Sequence, residues 1–275
     1  MAEKLLDILV PVYGDVGGLK KILAVVSVDE RCRIIVSDDS SKSVDIISIK
    51  QLCVRYGAIY KTGPRRGAVA NWNFLLSLSS STYSVLIHHD EHFSNTTFID
   101  ELEARQSSIE AMVLPVVIIN CNNVARYVYS WQQSLLIRWF KSFGPMVNML
   151  AGPTALLIFK TTKARDFNSK LVYQVDCEWY TRVLSGVDNS SICFYDGTRV
   201  ISTFLSGSIT DTIKGNLKEV IKSDKKVLQH SQWADIMTRW LYCGHCVTFF
   251  YKLVLLPSFV PFYLKRIWWR ANAHR

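Results

Sequence analysis

A chain of 275 residues with 49% apolar and 20% charged side chains has room for one large or two small globular domains, which excludes wholesale disorder. Its net charge of +9 points to a phosphorylated substrate, an anionic membrane or another polyanion without separating them. The opening MAEKLLDILVPVYG has no small-residue cleavage site and its apolar run is broken by Asp7 and Pro11, so it does not read as a signal peptide; the cysteines, mostly scattered singly, suggest no disulfide framework and a reducing cytosol.

In chain order, LLDILVPV (5–12) predicts a strand, and GGLKKILAVVS (17–27) places leucine and valine at helical spacing. CRIIVSDDS (32–40) is a second apolar run ending in acids. VDIISIKQLCVRYG (44–57) predicts a helix stopped at Gly57, AIYKTG (58–63) a short strand, VANWNFLLSLS (69–79) a helix, and TYSVLIHHD (82–90) a fourth strand. Strands alternating with helices, the strands apolar almost throughout, imply an α/β fold with a mostly parallel sheet covered on both faces. Ligands of such sheets lie beyond the carboxyl ends of the strands. The polar residues fall there: Tyr13 and Asp15 after the first strand, Asp38 and Asp39 after the second, His88 to His92 after the fourth.

Beyond MVLPVVIIN (112–120) the pattern is irregular, with Gly144, Pro145, Gly152 and Pro153 before the strand-like ALLIFK (155–160). VYQVDCEWYTRVLSG (172–186) predicts a short helix ending at Gly186, with Asp176 and Glu178 in its first turn. The C-terminal stretch is apolar and aromatic, broken by Lys252, Pro257 and Pro261, and closes with Trp268 and Trp269 among Lys265, Arg266, Arg270 and Arg275. That composition suits a headgroup surface better than a straight span. CGHC (243–246) has the spacing of a redox centre but lies in an apolar stretch rather than after a strand, so packing cysteines are expected.

ILVPVYGDVGGLKKIL, IIVSDDSS, GPRRGAVANWNFLLSLSSSTYSVLIHHDE and VDCEWYTRVLSG, in that order, resemble the successive blocks of family-2 glycosyltransferases of the GT-A fold, over roughly residues 5–210. The likeness is strongest to bacterial enzymes that build surface polysaccharides such as O-antigen, lipopolysaccharide or capsule. It implies a Rossmann-like GT-A catalytic domain over 1–215, with a nucleotide-sugar half to about 120 and an acceptor half from 121, and a helical C-terminal region over 216–275 that associates with membrane. It implies an inverting transfer from a nucleotide sugar, a UDP-sugar favoured, to a saccharide or lipid-linked oligosaccharide acceptor, with no nucleic-acid partner, on the inner face of the cytoplasmic membrane.

The resemblance carries roles with it. Asp38, beside Asp39, contacts the base; the turn around Pro11 and Tyr13 forms the facing wall; Arg65 and Arg66 meet phosphate. Asp90, with Glu91 second, holds Mg²⁺ or Mn²⁺ against the diphosphate. His88 replaces the usual first acid and would hydrogen-bond a hydroxyl. Asp176, six residues before Arg182, is the base, with Glu178 orienting the acceptor or sharing that role. Each has a plainer reading beside it: a capped turn for SDDS, an ordinary basic loop for the arginines, acids favouring a helix dipole at 176 and 178. A rival metal set, His88, Asp90 and His92 on one face of an extended strand, needs the strand to stay straight through a turn. His88, and the lack of a closing histidine or arginine in RVISTFLSGSIT (199–210), also motivate two alternatives: a GT-A enzyme working without tightly bound metal, and a catalytically silent scaffold.

Overall fold

The structure is a computed structural model that describes residues 4–119, 125–141, 149–203, 214–232 and 249–258. The CGHC motif, residues 204–210 of RVISTFLSGSIT and the Trp268–Trp269 pair fall outside these residues.

Strand β1 (Leu6–Val12) is buried along its whole length and pairs in parallel with β2 (Cys32–Asp38) and β4 (Tyr83–Leu86). Burying chains such as Leu6, Ile8, Leu9 and Val10 contributes roughly 1.5–3 kcal/mol each. The edge strand β3 (Ile59–Thr62) runs parallel to β2. Beyond β4, β9 (Leu157–Lys160) is antiparallel to both β4 and β6 (Ala111–Val113), and β10 (Ile192–Phe194) returns parallel to β6. The strand order is β10-β6-β9-β4-β1-β2-β3. Helices α1 (Val16–Val26), α2 (Ser43–Tyr56) and α3 (Ala68–Ser77) connect the first four strands. Gly57 ends α2 in the left-handed region, φ 67°, where glycine has no Cβ penalty.

A second sheet, order β5-β11-β7-β8, has no counterpart in the sequence reading; it comprises β5 (Glu91–Phe93), β7 (Val116–Ile119), β8 (Ala125–Val128) and β11 (Val200–Thr203). The single apolar run at 112–120 divides at Pro115, which has no N–H to offer either ladder but accepts from Val200 N at 2.9 Å. The rival strand of His88, Asp90 and His92 is overturned here. The chain turns after β4, with Glu91 N bonded back to His88 O at 3.0 Å, and His92 leaves on β5 in the other sheet.

Helix α4 (Phe98–Ala104) follows β5, α5 (Ser130–Phe140) follows β8, and α6 (Val175–Ser185) and α7 (Leu217–Gln229) complete the labelled helices. Leu228 of α7 and Val254 and Leu255 of the helix at 249–258 belong to the same hydrophobic core as the sheet. No described helix is long and apolar enough to cross a membrane.

A charged group lies among these strands. Asp7, fully buried on β1, takes both Arg33 nitrogens at 2.7 Å, the N–H groups of Ser80 and Ser81 at 2.6 and 2.9 Å, and the Ser81 hydroxyl at 2.6 Å. Burial alone would raise its carboxyl; Arg33 and the serines bring it below the ordinary value.

Candidate functional site

The ends of β1 and β2 are laced together. Asp39 N donates to Val12 O at 2.9 Å, Gly14 N to Ser40 Oγ at 2.8 Å, and Gly63 N, after β3, to Asp38 O at 2.9 Å. Asp38 is buried, its carboxylate accepting from Ser40 N at 2.8 Å and from the Tyr60 hydroxyl at 3.1 Å. Asp39 is half-buried and accepts Arg65 N at 2.8 Å. That bond steadies Arg65 at φ 54°, a left-handed backbone that is uncommon outside glycine. Gly63 has no alternative: a Cβ there would stand 2.2 Å from Asp39 Oδ1. Pro11 is buried in β1, while Tyr13, Arg65 and Arg66 are exposed at the rim. The sequence-assigned nucleotide residues thus converge on the ends of adjacent strands, with Asp38 already holding protein partners.

The second part of the site begins where β4 stops. His88 stacks on Trp72 of α3, ring centroids 4.8 Å apart, and its Nδ1 faces Glu91 Oε1 at 3.3 Å. Glu91 is buried; its Oε2 accepts from His88 N at 3.2 Å and from Ala155 N at 3.3 Å, so it also ties this turn to the start of β9. Asp90 is half-buried, its carbonyl fixed by Thr203 N at 2.9 Å. Ligand atoms of His88, Asp90 and Glu91 lie within 4.8 Å of one another. That donor set fits a divalent cation: a half-exposed carboxylate at Asp90 leaves positions for phosphate and water, and imidazole nitrogen is acceptable to Mn²⁺.

Asp176 stands in the first turn of α6. Its Oδ1 and His88 Nε2 are both buried without a hydrogen-bond partner. Burial raises the Asp176 carboxyl and His88 opposes that rise. Burial would lower His88, but the charges of Glu91, then Asp90 and Asp176, raise it to about 9. Three acids and one imidazole therefore share one electrostatic neighbourhood spanning β4 and α6. Glu178 is engaged differently, taking Arg182 Nε at 2.5 Å and Nη2 at 2.8 Å one turn along the same helix. Of the two acids, Asp176 carries the unpartnered buried oxygen.

Several positioning residues escaped sequence reasoning. In the run Asn71-Trp72-Asn73, Asn71 bonds the hydroxyl and carbonyl of Ser37 at the end of β2, and Trp72 stacks on His88. Asn73 pairs with both backbone groups of Phe167, at 2.7 and 3.0 Å. Phe167 in turn stacks on Trp179 of α6 at 4.5 Å. One helical turn of α3 thereby joins the end of β2 to the helix bearing Asp176. The available signal was asparagine on both sides of a tryptophan inside a helix, where asparagine is a poor former and needs another reason. Asp224 of α7 is a second: fully buried, it accepts the N–H groups of Val172, Tyr173 and Gln174 at 2.8–3.0 Å, holding the approach to α6.

Neither a protein-family model nor a curated protein sequence matches this chain. Solved structures do. A mannosyltransferase from Pyrobaculum calidifontis, in complex with GDP-Man and Mn²⁺, superposes with a TM-score of 0.58 at 11% identity, over 94% of this chain and 76% of that one. TarS 1-349 from S. aureus gives 0.57 at 13% identity over 83% of this chain. Its complex with UDP-GlcNAc gives 0.53 at 14%. The chain spans 66% of the first TarS structure, just under two thirds. At these identities the likeness is one of fold: this chain has the mixed α/β, GT-A-like fold of glycosyltransferase structures.

Proposed function

We propose that the protein is an inverting glycosyltransferase that moves a sugar from a nucleotide-sugar donor, a UDP-sugar favoured, to a saccharide hydroxyl, the acceptor being lipid-linked and the product a bacterial surface polysaccharide. The observation that carries this reading is the pair of buried, unpartnered polar atoms, His88 Nε2 and Asp176 Oδ1, facing the same acidic neighbourhood in a fold that elsewhere holds nucleotide sugars.

The ends of β1, β2 and β3 hold the nucleoside, with Asp38 and Asp39 as acceptors and Tyr13 at the rim. Arg65 and Arg66 flank the phosphates. Asp90, with Glu91 behind it, would hold Mg²⁺ or Mn²⁺, which when bound stabilises negative charge on the leaving diphosphate. His88, held by Glu91 and Trp72, turns a donor toward the donor sugar nucleotide. Asp176, raised by burial toward a value suited to a base, takes the proton of the acceptor hydroxyl as that oxygen attacks the anomeric carbon from the face opposite the diphosphate.

Calorimetric titration with nucleoside diphosphates, with and without Mn²⁺, is the test. One nucleotide should bind in a metal-dependent manner, and Asp90→Ala should abolish the metal dependence. Asp176→Asn should keep nucleotide affinity within about twofold while lowering sugar transfer by about a thousandfold. If no nucleotide binds the wild-type chain under any condition, the transferase reading is wrong and a silent scaffold of this fold replaces it.

A further inference from the structure

The helix at residues 249–258 has two apolar sides. Its inner side is built into the protein: Val254, Leu255 and Ser258 are buried, Gln132 Nε2 of α5 donates to Val254 O at 2.7 Å, and Ser258 Oγ donates to Gln132 Oε1 at 3.0 Å. The outer side of such a surface helix is ordinarily polar. Here it carries Phe249, Phe250, Leu253 and Leu256, exposed by 63, 50, 51 and 52%. At about 100° per residue, positions 249, 253 and 256 fall within roughly 60° of one another, so they make a stripe rather than a scatter. The two phenyl rings meet each other edge to face, centroids 5.8 Å apart, outside the core.

Helix α5, joined to this one through Gln132, repeats the arrangement. Trp131 and Trp139 are 49 and 47% exposed, with the exposed Arg138 beside the second. Lys252 is exposed on the outer side of the C-terminal helix. Charge selects the occupant. The 40 residues after Asp235 contain no aspartate or glutamate, and carry Arg239, Lys252, Lys265, Arg266, Arg270 and Arg275. Apolar and aromatic side chains with the exposed Lys252 and Arg138 among them match an anionic bilayer surface: the first enter the acyl boundary while the second meet lipid phosphate. Tyr251, on the inner side of the same helix, is half-buried, and burial pushes its hydroxyl up to about 12.

We infer that the outer faces of α5 and of residues 249–258 together form a docking surface for an anionic lipid bilayer, the C-terminal helix lying in the headgroup plane. This stands independently of the transferase reading, and its test uses no sugar nucleotide.

Flotation of the full chain with vesicles of phosphatidylcholine plus phosphatidylglycerol, against phosphatidylcholine alone, reads it directly. Wild type should float with the mixed vesicles and far less with the neutral ones. Combined Phe250→Ser, Leu253→Ser and Leu256→Ser should lower partitioning at least about tenfold with an unchanged melting temperature, because none of the three supports the core. Lys252→Glu with Arg138→Glu, which leaves every apolar chain in place, should weaken the preference for the anionic vesicles by at least about threefold. Wild type that stays unbound, wild type that floats equally with neutral vesicles, or a serine variant that floats like wild type overturns the inference. So does a concentration-dependent dimer of wild type that the serine variant loses, since a second copy would then cover the face.

Discussion

Glu91 is the residue on which the candidate site turns. Its carboxylate reaches His88 twice, through the backbone N–H and Nδ1, and Ala155 once, so it fixes both the imidazole and the loop that carries it. Trp72 supplies the other constraint on the ring by stacking. With Nδ1 held, Nε2 is the atom left for a ligand, and it has no partner in the protein. Leaving a buried polar atom unmet costs roughly 1–3 kcal/mol, a cost that a bound phosphate or hydroxyl oxygen would offset. Glu91→Gln keeps the size of the side chain but loses the charge that faces His88. Nucleotide affinity should then fall by about tenfold, the equivalent of one such hydrogen bond. Calorimetry decides it: an affinity equal to that of wild type would mean that Glu91 does not position His88 for the nucleotide.

Elements are brought to this site by contacts that leave little room. A Cβ on Gly18 of α1 would lie 2.0 Å from His89 O, a backbone atom that cannot swing away. Gly18→Ala should therefore push α1 from the turn between β4 and β5, lowering nucleotide affinity and costing about 2 kcal/mol of stability, as overpacking does. A variant with wild-type melting and binding would show that the turn tolerates the shift. Between β1 and β2 the constraint is charge. Asp7 has a folded-state carboxyl below its ordinary value, so its contribution is fully present above the unfolded pKa of about 4 and is lost as pH falls through the lower folded value. Asp7→Asn, which strands Arg33, should destabilise the protein by about 3 kcal/mol near neutrality, and the gap to wild type should close below about pH 4. Denaturant melts at several pH values would show it; a gap that widens on acidification contradicts the assignment.

What could be read from the sequence at this scale follows from how local each signal is. The parallel strands announced themselves as apolar runs, and Gly57 and Gly186 marked helix ends because their causes lie within a few residues. The strand ends bearing Asp38 and His88 were legible for the same reason. The second sheet was not, since Val116–Ile119 pairs with Val200–Thr203, 84 positions further along the chain, and Pro115 inside one apolar run gives no hint that its two sides join different sheets. Asn71 and Asn73 signalled only that a helix carries two poor formers, Asp224 gave no signal, and none of the three named its partner. Each holds backbone or side-chain atoms 34 to 94 residues away, and no local pattern records such a bond.

At the scale of the whole molecule, the C-terminal helix changes what a truncation means. From composition alone, residues 235–275 read as an appendage whose removal would free the protein from membranes. Residues 249–258 are instead part of the fold: Val254 and Leu255 lie in the core, and Gln132, fully buried, finds partners for both ends of its amide there. Deleting 249–275 removes two buried apolar side chains, at roughly 1.5–3 kcal/mol each, and leaves the Gln132 amide N–H without its acceptor. The loss of stability should be about 4 kcal/mol or more, seen as a lower denaturant midpoint. Hydrogen exchange should accelerate in α5, which carries Gln132, while β1 and β2, buried within the larger sheet, stay protected. A truncated chain that melts like wild type would make the helix an appendage after all. The outer-face substitutions, which should leave the midpoint where it is, supply the contrast: the same helix then packs into the core with one face and offers the other to its surroundings.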